Sequence, residues 1–183
     1  MPGSEFDSLL KIYRAIELRV EVLMSSICAP HCRVCLTPCC RIAICREAVE
    51  SPFLLAVHGS KQAFDPTSGY LGATGCTLGA GRPPVCHAFL CAPILNQQSS
   101  DQRRFALQCL GDLIGYLGKR VWLNRHLVEA ITDSDLLKVN HSSFQQRLAT
   151  GANVMDVLES YFAHDIALNE GEVTQLSVIR KPA

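Results

Sequence analysis

The sequence predicts a mainly α protein: a small helical domain interrupted by an irregular, cysteine-rich insert. Three observations carry that prediction. Apolar residues recur at steps of three and four near the N-terminus and again beyond residue 100, the spacing that places them on one face of a helix. Nothing in the chain alternates strand and helix in the βαβ manner. From residue 28 to 93, Pro30, Pro38, Gly69, Gly72, Gly75, Gly79, Gly81, Pro83 and Pro84 punctuate the chain too closely for long regular elements.

The 183 residues carry 17 basic and 17 acidic side chains and are 48% hydrophobic. That suits one domain, residues 1–183, with one sizeable core, and excludes a disordered polar chain. A net charge of zero argues against a broad basic face for nucleic acid. No apolar run approaches the roughly 20 residues that span a bilayer. The opening Met-Pro-Gly-Ser-Glu-Phe-Asp has neither the basic nor the apolar region of a secretion signal. A cytoplasmic protein with no membrane or nucleic-acid partner is therefore expected.

Ser4 is placed to cap the first helix, residues 4–27, with Asp7 three residues on. Phe6, Leu9, Tyr13, Ile16, Val20, Leu23 and Ile27 form a heptad-like seam along it. Such a seam serves as a core stripe or as the surface of a homo-oligomer. A short helix is signalled by Ser51 as N-cap, Pro52 at the first helical position, the run Phe53–Val57 and Gly59 as its stop. Another is expected to begin at Pro83 or Pro84 and to carry Cys86 and Cys91. After the polar linker 97–100, the helical scaffold, residues 100–171, opens with a long helix over 101–131. Gly111, Gly115 and Gly118 lie along one side of it. Each costs about 1 kcal/mol against alanine in a helix, which points to close approach of another backbone. Helices are expected at 135–139, at 143–150 with Gly151 as its stop, and at 154–168 capped by Asn153, with Gly171 beyond its end. The tail 173–179 reads as a short strand.

Ten cysteines are many for such a domain, and nine lie between Cys28 and Cys91. The first group is Cys28, Cys32, Cys35, Cys39, Cys40 and Cys45, and the second is Cys76, Cys86 and Cys91. The tenth, Cys109, sits at an apolar helical position and reads as a buried small hydrophobe. A disulfide scaffold suits short secreted chains that cannot build a core, whereas this chain can build one. Adjacent Cys39 and Cys40 also cannot easily bridge each other. Thiolates two to four residues apart instead wrap a soft metal, zinc or iron–sulfur. A unit such as Cys32-x2-Cys35 lets two sulfurs reach one metal from a tight turn, and backbone amides aimed at the sulfurs stabilise their charge. Arg82 is placed to donate to sulfur or to offset a cluster's negative charge, or else is a solvated surface arginine. A helix starting at Pro83 or Pro84 sets its positive end close to Cys86. The metal-binding region is thus residues 28–95. Nine thiols exceed the four needed by one zinc or one cubane, so there are two sites, or one site with spare thiols. A thiol-rich site in an otherwise apolar fold favours an iron–sulfur cluster over zinc.

The run Cys32-x2-Cys35-x3-Cys39-Cys40, then Gly75-Cys76-x-Leu78, then Arg82-Pro83-x2-Cys86-x2-Phe89-x-Cys91, resembles the YkgJ-type cysteine-cluster family. That family is the CxxCxxCC zinc- or iron-chelating domain, which also occurs in flagellin lysine methylases. The resemblance spans about a third of the chain, from Cys28 to Cys91, with both halves in order. Three residues rather than two separate Cys35 from Cys39, so either Cys39 or Cys40 takes the family's ligand position. The resemblance implies chelation by Cys32, Cys35, Cys39 or Cys40, Cys86 and Cys91, with Cys76 next; it implies no defined reaction. Electron transfer, metal handling or support of a partner enzyme are the roles such a site serves.

Two other readings compete. Cys28-x3-Cys32-x2-Cys35 is also the spacing with which radical S-adenosylmethionine enzymes hold a [4Fe–4S] cluster. Against it, the motif follows a helix, Val34 stands where an aromatic is usual, and no strand–helix alternation follows. The other is a zinc-organised interaction module without catalysis, meeting a protein partner on its helical face. His31 and His87, interleaved with the cysteines, read as bystanders. Glu47 and Glu50 read as solvated helix residues or as outer support for a ligand. His58, His126, His141 and His164 carry no local catalytic signature, so no catalytic residue is singled out. The stretch 69–75 lacks the Gly-Lys-Ser/Thr ending of a phosphate loop and reads as a turn that folds Cys76 inward.

Overall fold

The computed structural model describes residues 4–32, 34–35, 41–59, 64–73 and 75–180. Helices α1 (Ser4–Cys32), α2 (Ile42–Glu50) and α3 (Pro52–His58) lead to a hairpin of β1 (Leu71–Gly72) and β2 (Gly75–Cys76). Helices α4 (Pro84–Ala88), α5 (Ala92–Asn96) and α6 (Asp101–Gly118) follow, then a 3-10 turn (Leu127–Glu129), α7 (Asp133–Leu136), α8 (His141–His164) and α9 (Glu170–Arg180). The protein is mainly helical. Among the described residues β1 and β2 are the only paired strands, antiparallel with Leu71 opposite Cys76, so no β/α barrel is built from them. No helix among the described residues is long and apolar enough to cross a membrane.

The seam of α1 is an internal packing stripe. Phe6, Leu9, Tyr13, Ile16 and Val20 are all buried, against α6 and α8. Burial of each such large side chain contributes about 1.5–3 kcal/mol. On the rim of this contact, Arg19 grips α8 with a two-pronged bond to Glu159, Nε to Oε1 at 2.9 Å and Nη2 to Oε2 at 2.6 Å, and reaches Asp156 at 2.6 Å. These groups are partly exposed, so the clamp contributes at most about 1 kcal/mol and fixes register more than stability. Helix α1 runs on past the seam and through Pro30. Pro30 has no N–H to give the Ser26 carbonyl one turn back, and the helix stops two residues later. Ser4 is its first residue, and the side chain expected to cap it lies outside the described residues. Helix α3 forms as expected: Ser51 Oγ accepts the Leu54 N–H at 3.4 Å, Pro52 opens the helix, and Gly59 closes it at φ 76°.

The glycines of α6 do admit close neighbours. A Cβ on Gly111 would lie 2.9 Å from the His87 carbonyl oxygen and 3.4 Å from Ala88 Cα, so the backbone of α4 rests on α6 there. Gly118 makes room for the His126 ring, which occupies the space a Cβ would need. This ring is the reason α6 ends at Gly118 instead of running to residue 131. The last carbonyls of a helix lack intrahelical donors, and His126 Nε2 donates to the Gly115 carbonyl at 2.9 Å while its Nδ1 accepts the Val128 N–H at 3.2 Å. Burial holds the ring below the ordinary histidine range, consistent with the neutral tautomer that these two bonds require.

Three other expectations are corrected. The helices expected at 143–150 and 154–168 are one, α8, which continues through Gly151. Gly151 is buried in the helix, and a Cβ there would collide with Leu117 Cδ2 of α6, so the glycine serves helix contact, not termination. The tail is a helix, α9, because Asn169 and Glu172 form a reciprocal cap: Asn169 Oδ1 accepts the Glu172 N–H and Glu172 Oε2 accepts the Asn169 N–H. Leu176 and Ile179 then enter the core at a spacing of three. Third, the helix opened by Pro84 ends at Ala88, and Cys91 caps a separate helix, α5.

Two apolar clusters result. The large one gathers α1, α3, α6, α8 and α9. The small one consists of Ala48, Tyr70 and Leu78, with Cys45, Val49, Phe64 and Cys76 packed against it. Substituting Gly111→Ala should destabilise the protein by about 1–3 kcal/mol, because the clash with the α4 backbone outweighs the gain of about 1 kcal/mol in helix propensity. Urea unfolding of the two proteins checks this; an unchanged or higher midpoint would contradict the close contact.

Candidate metal centre

The second cysteine group is held to α1 by a buried carboxylate. Glu17 is fully buried, four residues after Tyr13 on the packed side of α1. It accepts three hydrogen bonds: from Gly81 N–H at 2.8 Å, Arg82 N–H at 2.9 Å and His87 Nε2 at 3.1 Å. A buried carboxylate without such donors costs several kcal/mol. Gly81 meets these demands with φ 77°, in a space where a Cβ would lie 2.8 Å from His58 Cβ and 2.9 Å from the Leu54 carbonyl oxygen. One turn further along α1, Glu21 pairs with Arg82 Nη1. Arg82 also donates from Nε to the Leu78 carbonyl at 2.6 Å and from Nη2 to the Cys76 carbonyl at 3.4 Å. Arg82 is therefore a largely buried structural group, not a solvated surface arginine, and its charge lies near Cys76. His87, as the ring that Glu17 engages, has a structural duty.

The structure divides the predicted cysteine ligands by environment. Cys28 is half-buried near the end of α1, and Cys91 is half-buried at the cap of α5; both pack against the large core. Cys32 ends α1 and Cys35 follows it, both exposed, with the Cys35 N–H donating to the Cys32 carbonyl at 3.3 Å. The amide of that tight turn is thus directed at a carbonyl. Cys86 is exposed on α4. Cys39 and Cys40 lie outside the described residues. Cys45 on α2 and Cys76 on β2, from opposite cysteine groups, both pack on the small core.

The hairpin shapes this meeting. Tyr70 O accepts both the N–H and the hydroxyl of Thr77, at 2.8 and 3.0 Å, which fixes Cys76 beside the start of β1. Gly69 lies against Cys45: a Cβ on Gly69 would sit 2.9 Å from Cys45 Cβ and 3.0 Å from its Sγ. Burial pushes the Cys76 thiol above its ordinary range; the Arg82 charge and the Leu78 N–H pull it down, and Cys45 and Glu21 add to the upward push. At neutral pH the thiol is protonated, and a bound cation would have to displace that proton.

The eight described cysteines are thiols rather than disulfides. Among the described residues no group of three or more His, Cys, Asp or Glu side chains is gathered in a metal-holding arrangement. The two sulfurs of Cys45 and Cys76 fall short of the four donors that one zinc or one cubane takes. The Arg82 charge lies near Cys76, and the buried Tyr70 hydroxyl of the same small core has no hydrogen-bond partner among the described residues. Glu47 is half-buried, with its carboxyl pushed up by burial and then by Glu129, while Glu50 is exposed. Sequence reasoning missed Glu17, Glu21 and Tyr70. A glutamate directly following Ile16 of the seam was the available signal for Glu17. No family model, curated protein or solved structure matches the chain.

Substituting Glu17→Gln places an amide NH2 where three donors converge. It should cost about 3 kcal/mol, read as a lower urea midpoint. A second expectation concerns pH. Burial pushes the Cys109 thiol up to about 12 and holds Cys76 high as well. Above the ordinary thiol value of about 8.5, the unfolded chain releases protons that the folded one keeps, so stability falls with rising pH. Metal-stripped protein should lose urea resistance as pH rises from about 8.5 towards the Cys109 value, and Cys109→Ala should flatten that slope.

Proposed function

We propose that this chain is a thiolate metal-binding protein whose site is nucleated by Cys45 and Cys76. The observation that carries the reading is their meeting: two thiols 31 positions apart in sequence are held at one small core, next to an arginine fixed by three acceptors. Cys39 or Cys40, which precede Arg41 and α2, is the natural addition from the first group, with Cys32, Cys35, Cys86, Cys91 and Cys28 as further candidates. Arg82 offsets the negative charge that several thiolates on one metal create. An iron–sulfur cluster there would supply one-electron transfer, whereas zinc would supply a cross-link between the two cysteine segments. The surrounding core of Phe64, Tyr70 and Leu78 limits water at the sulfurs and favours the cluster. Electron transfer, metal handling or support of a partner enzyme in the cytoplasm are the roles such a site would serve.

Protein purified anaerobically is expected to hold iron with acid-labile sulfide, or zinc, in stoichiometric amount. A brown protein with broad visible absorption identifies the cluster and a colourless one identifies zinc. Cys45→Ser combined with Cys76→Ser should remove at least one equivalent, while Cys109→Ala should leave the content unchanged. Stoichiometric absence of iron and zinc in the wild-type chain would overturn the proposal, as would full metal content in the double variant.

A further inference from the structure

Residues 119–126 cross from the end of α6 to the 3-10 turn on a strained backbone. Arg120, Leu123 and Asn124 have φ of 57°, 44° and 62°. Asparagine bears that left-handed conformation readily, but other residues with a Cβ do so at a cost of about 1–2 kcal/mol each. Leu123 and Asn124 form the tip of a tight turn, closed by the Arg125 N–H on the Trp122 carbonyl at 2.7 Å. Such a backbone persists only where its surroundings hold it. On one side the Asn140 N–H donates to the Val121 carbonyl at 2.8 Å, and Trp122 bridges to Val139. At the far end, His126 bonds both α6 and the 3-10 turn.

The two His126 bonds require a single ring proton, at Nε2. A second proton at Nδ1 would face the Val128 N–H, donor against donor. The ring lies against Gly118, in the space a Cβ would take, so it cannot swing aside within the closed structure. The charges facing it from the packed elements oppose a second proton on balance. Arg147 of α8 is fixed over the Tyr116 ring at 4.6 Å and donates to the Tyr116 carbonyl at 3.2 Å, and Lys119 stands at the end of α6. Against these two cations the facing anion is Glu129 of the 3-10 turn, which already accepts the His126 N–H at 2.8 Å.

We infer that His126 is an acid-sensitive latch: its protonation breaks the tie between α6 and the 3-10 turn and lets residues 119–129 open as a unit. Opening relieves the left-handed turn. It also uncovers Trp122, which is 5% exposed and whose indole N–H has no partner among the described residues. Burial above all holds the closed ring below the ordinary histidine range, so on acidification the open form takes the proton before the closed form does. The latch is therefore shut above about pH 6.5, and each pH unit below that favours opening by up to about 10-fold.

The test is hydrogen exchange on the full chain, followed by NMR at pH about 7.5 and about 5.5 and corrected for the intrinsic pH dependence of exchange. Protection of the Val128 amide and of the Trp122 indole N–H is expected to fall about 5- to 10-fold at the lower pH. Both should exchange faster than the Leu110 amide in the middle of α6, because the opening is local. His126→Asn offers the Val128 N–H an oxygen and carries nothing that titrates in this range, so its Val128 protection should be equal at the two pH values. In the wild-type chain the His126 ring protons should titrate below about 6.5. Equal protection of wild-type Val128 at the two pH values overturns the inference. So does an acid loss of protection that persists in His126→Asn, or a ring titration at or above the ordinary value. A Val128 amide that exchanges no faster than Leu110 overturns it too, since the segment would then open only with the whole protein.

Discussion

A carboxylate set on the packed side of a helix must be given donors, or it costs more than the helix gains by packing. Glu17 is in that position on α1, and the chain answers with two consecutive backbone amides and an imidazole from residues 81–87. Two consecutive amides can point at one carboxylate only if the backbone turns sharply, which is the use of Gly81 at φ 77°. The strap then fixes Arg82, and Arg82 closes on Glu21 and on the carbonyls of Leu78 and Cys76. In a stretch with little regular structure, this polar set takes the place of a sheet or a long helix. The position of Cys76, and of α4 with Cys86, follows from it.

The same strap explains how so irregular a segment sits on a close-packed helical frame. His87 reaches Glu17 through its ring while its carbonyl lies against Gly111 of α6. Helix α4 is therefore gripped from both sides, by a carboxylate of α1 and by a notch in α6. Gly151 provides the equivalent notch between α8 and Leu117. Interiors pack like organic crystals, so a missing side chain at such points is a shape requirement, and its propensity cost of about 1 kcal/mol per glycine is offset by the contact it allows.

The helical class and the packed face of α1 are legible in the sequence because a repeat of three and four survives any tertiary detail. Ser51, Pro52 and Gly59 are equally legible, since caps are local chemistry. Element ends governed by distant groups are not. Helix α6 stops at Gly118 because a histidine eight residues on occupies the space and bonds the Gly115 carbonyl, and no local signal announces that. Gly151 looks like a stop in sequence, yet it is a contact. The Asn169–Glu172 cap is readable in principle, but the β-branched Val173, Thr174, Val178 and Ile179 favour a strand by propensity. The cap wins, and Ser177 donates from its hydroxyl to the Val173 carbonyl one turn back along α9. At the site, cysteine spacing singles out Cys32 and Cys35, while the fold joins Cys45 to Cys76, a pairing that depends on the Gly69 contact and the hairpin register.

Environment also orders the thiol surplus. Cys109 is deep in the large core with its thiol bonded to the Leu176 carbonyl, so it behaves as a small hydrophobe. Cys28 and Cys91 lie at the margin of that core, where rigid packing limits how far their sulfurs can move. Cys32, Cys35 and Cys86 are exposed at helix ends or on a single helical turn. Among the described cysteines, Cys45 and Cys76 alone share a small separate core with an unsatisfied hydroxyl and a fixed cation. A core of three buried residues has little apolar area to hold it together, and a cross-linking metal supplies most where burial supplies least. The place where the fold is weakest in hydrophobic terms is thus the place where two cysteine segments meet, and the proposed metal would add more there than at the better-packed margin of the large core.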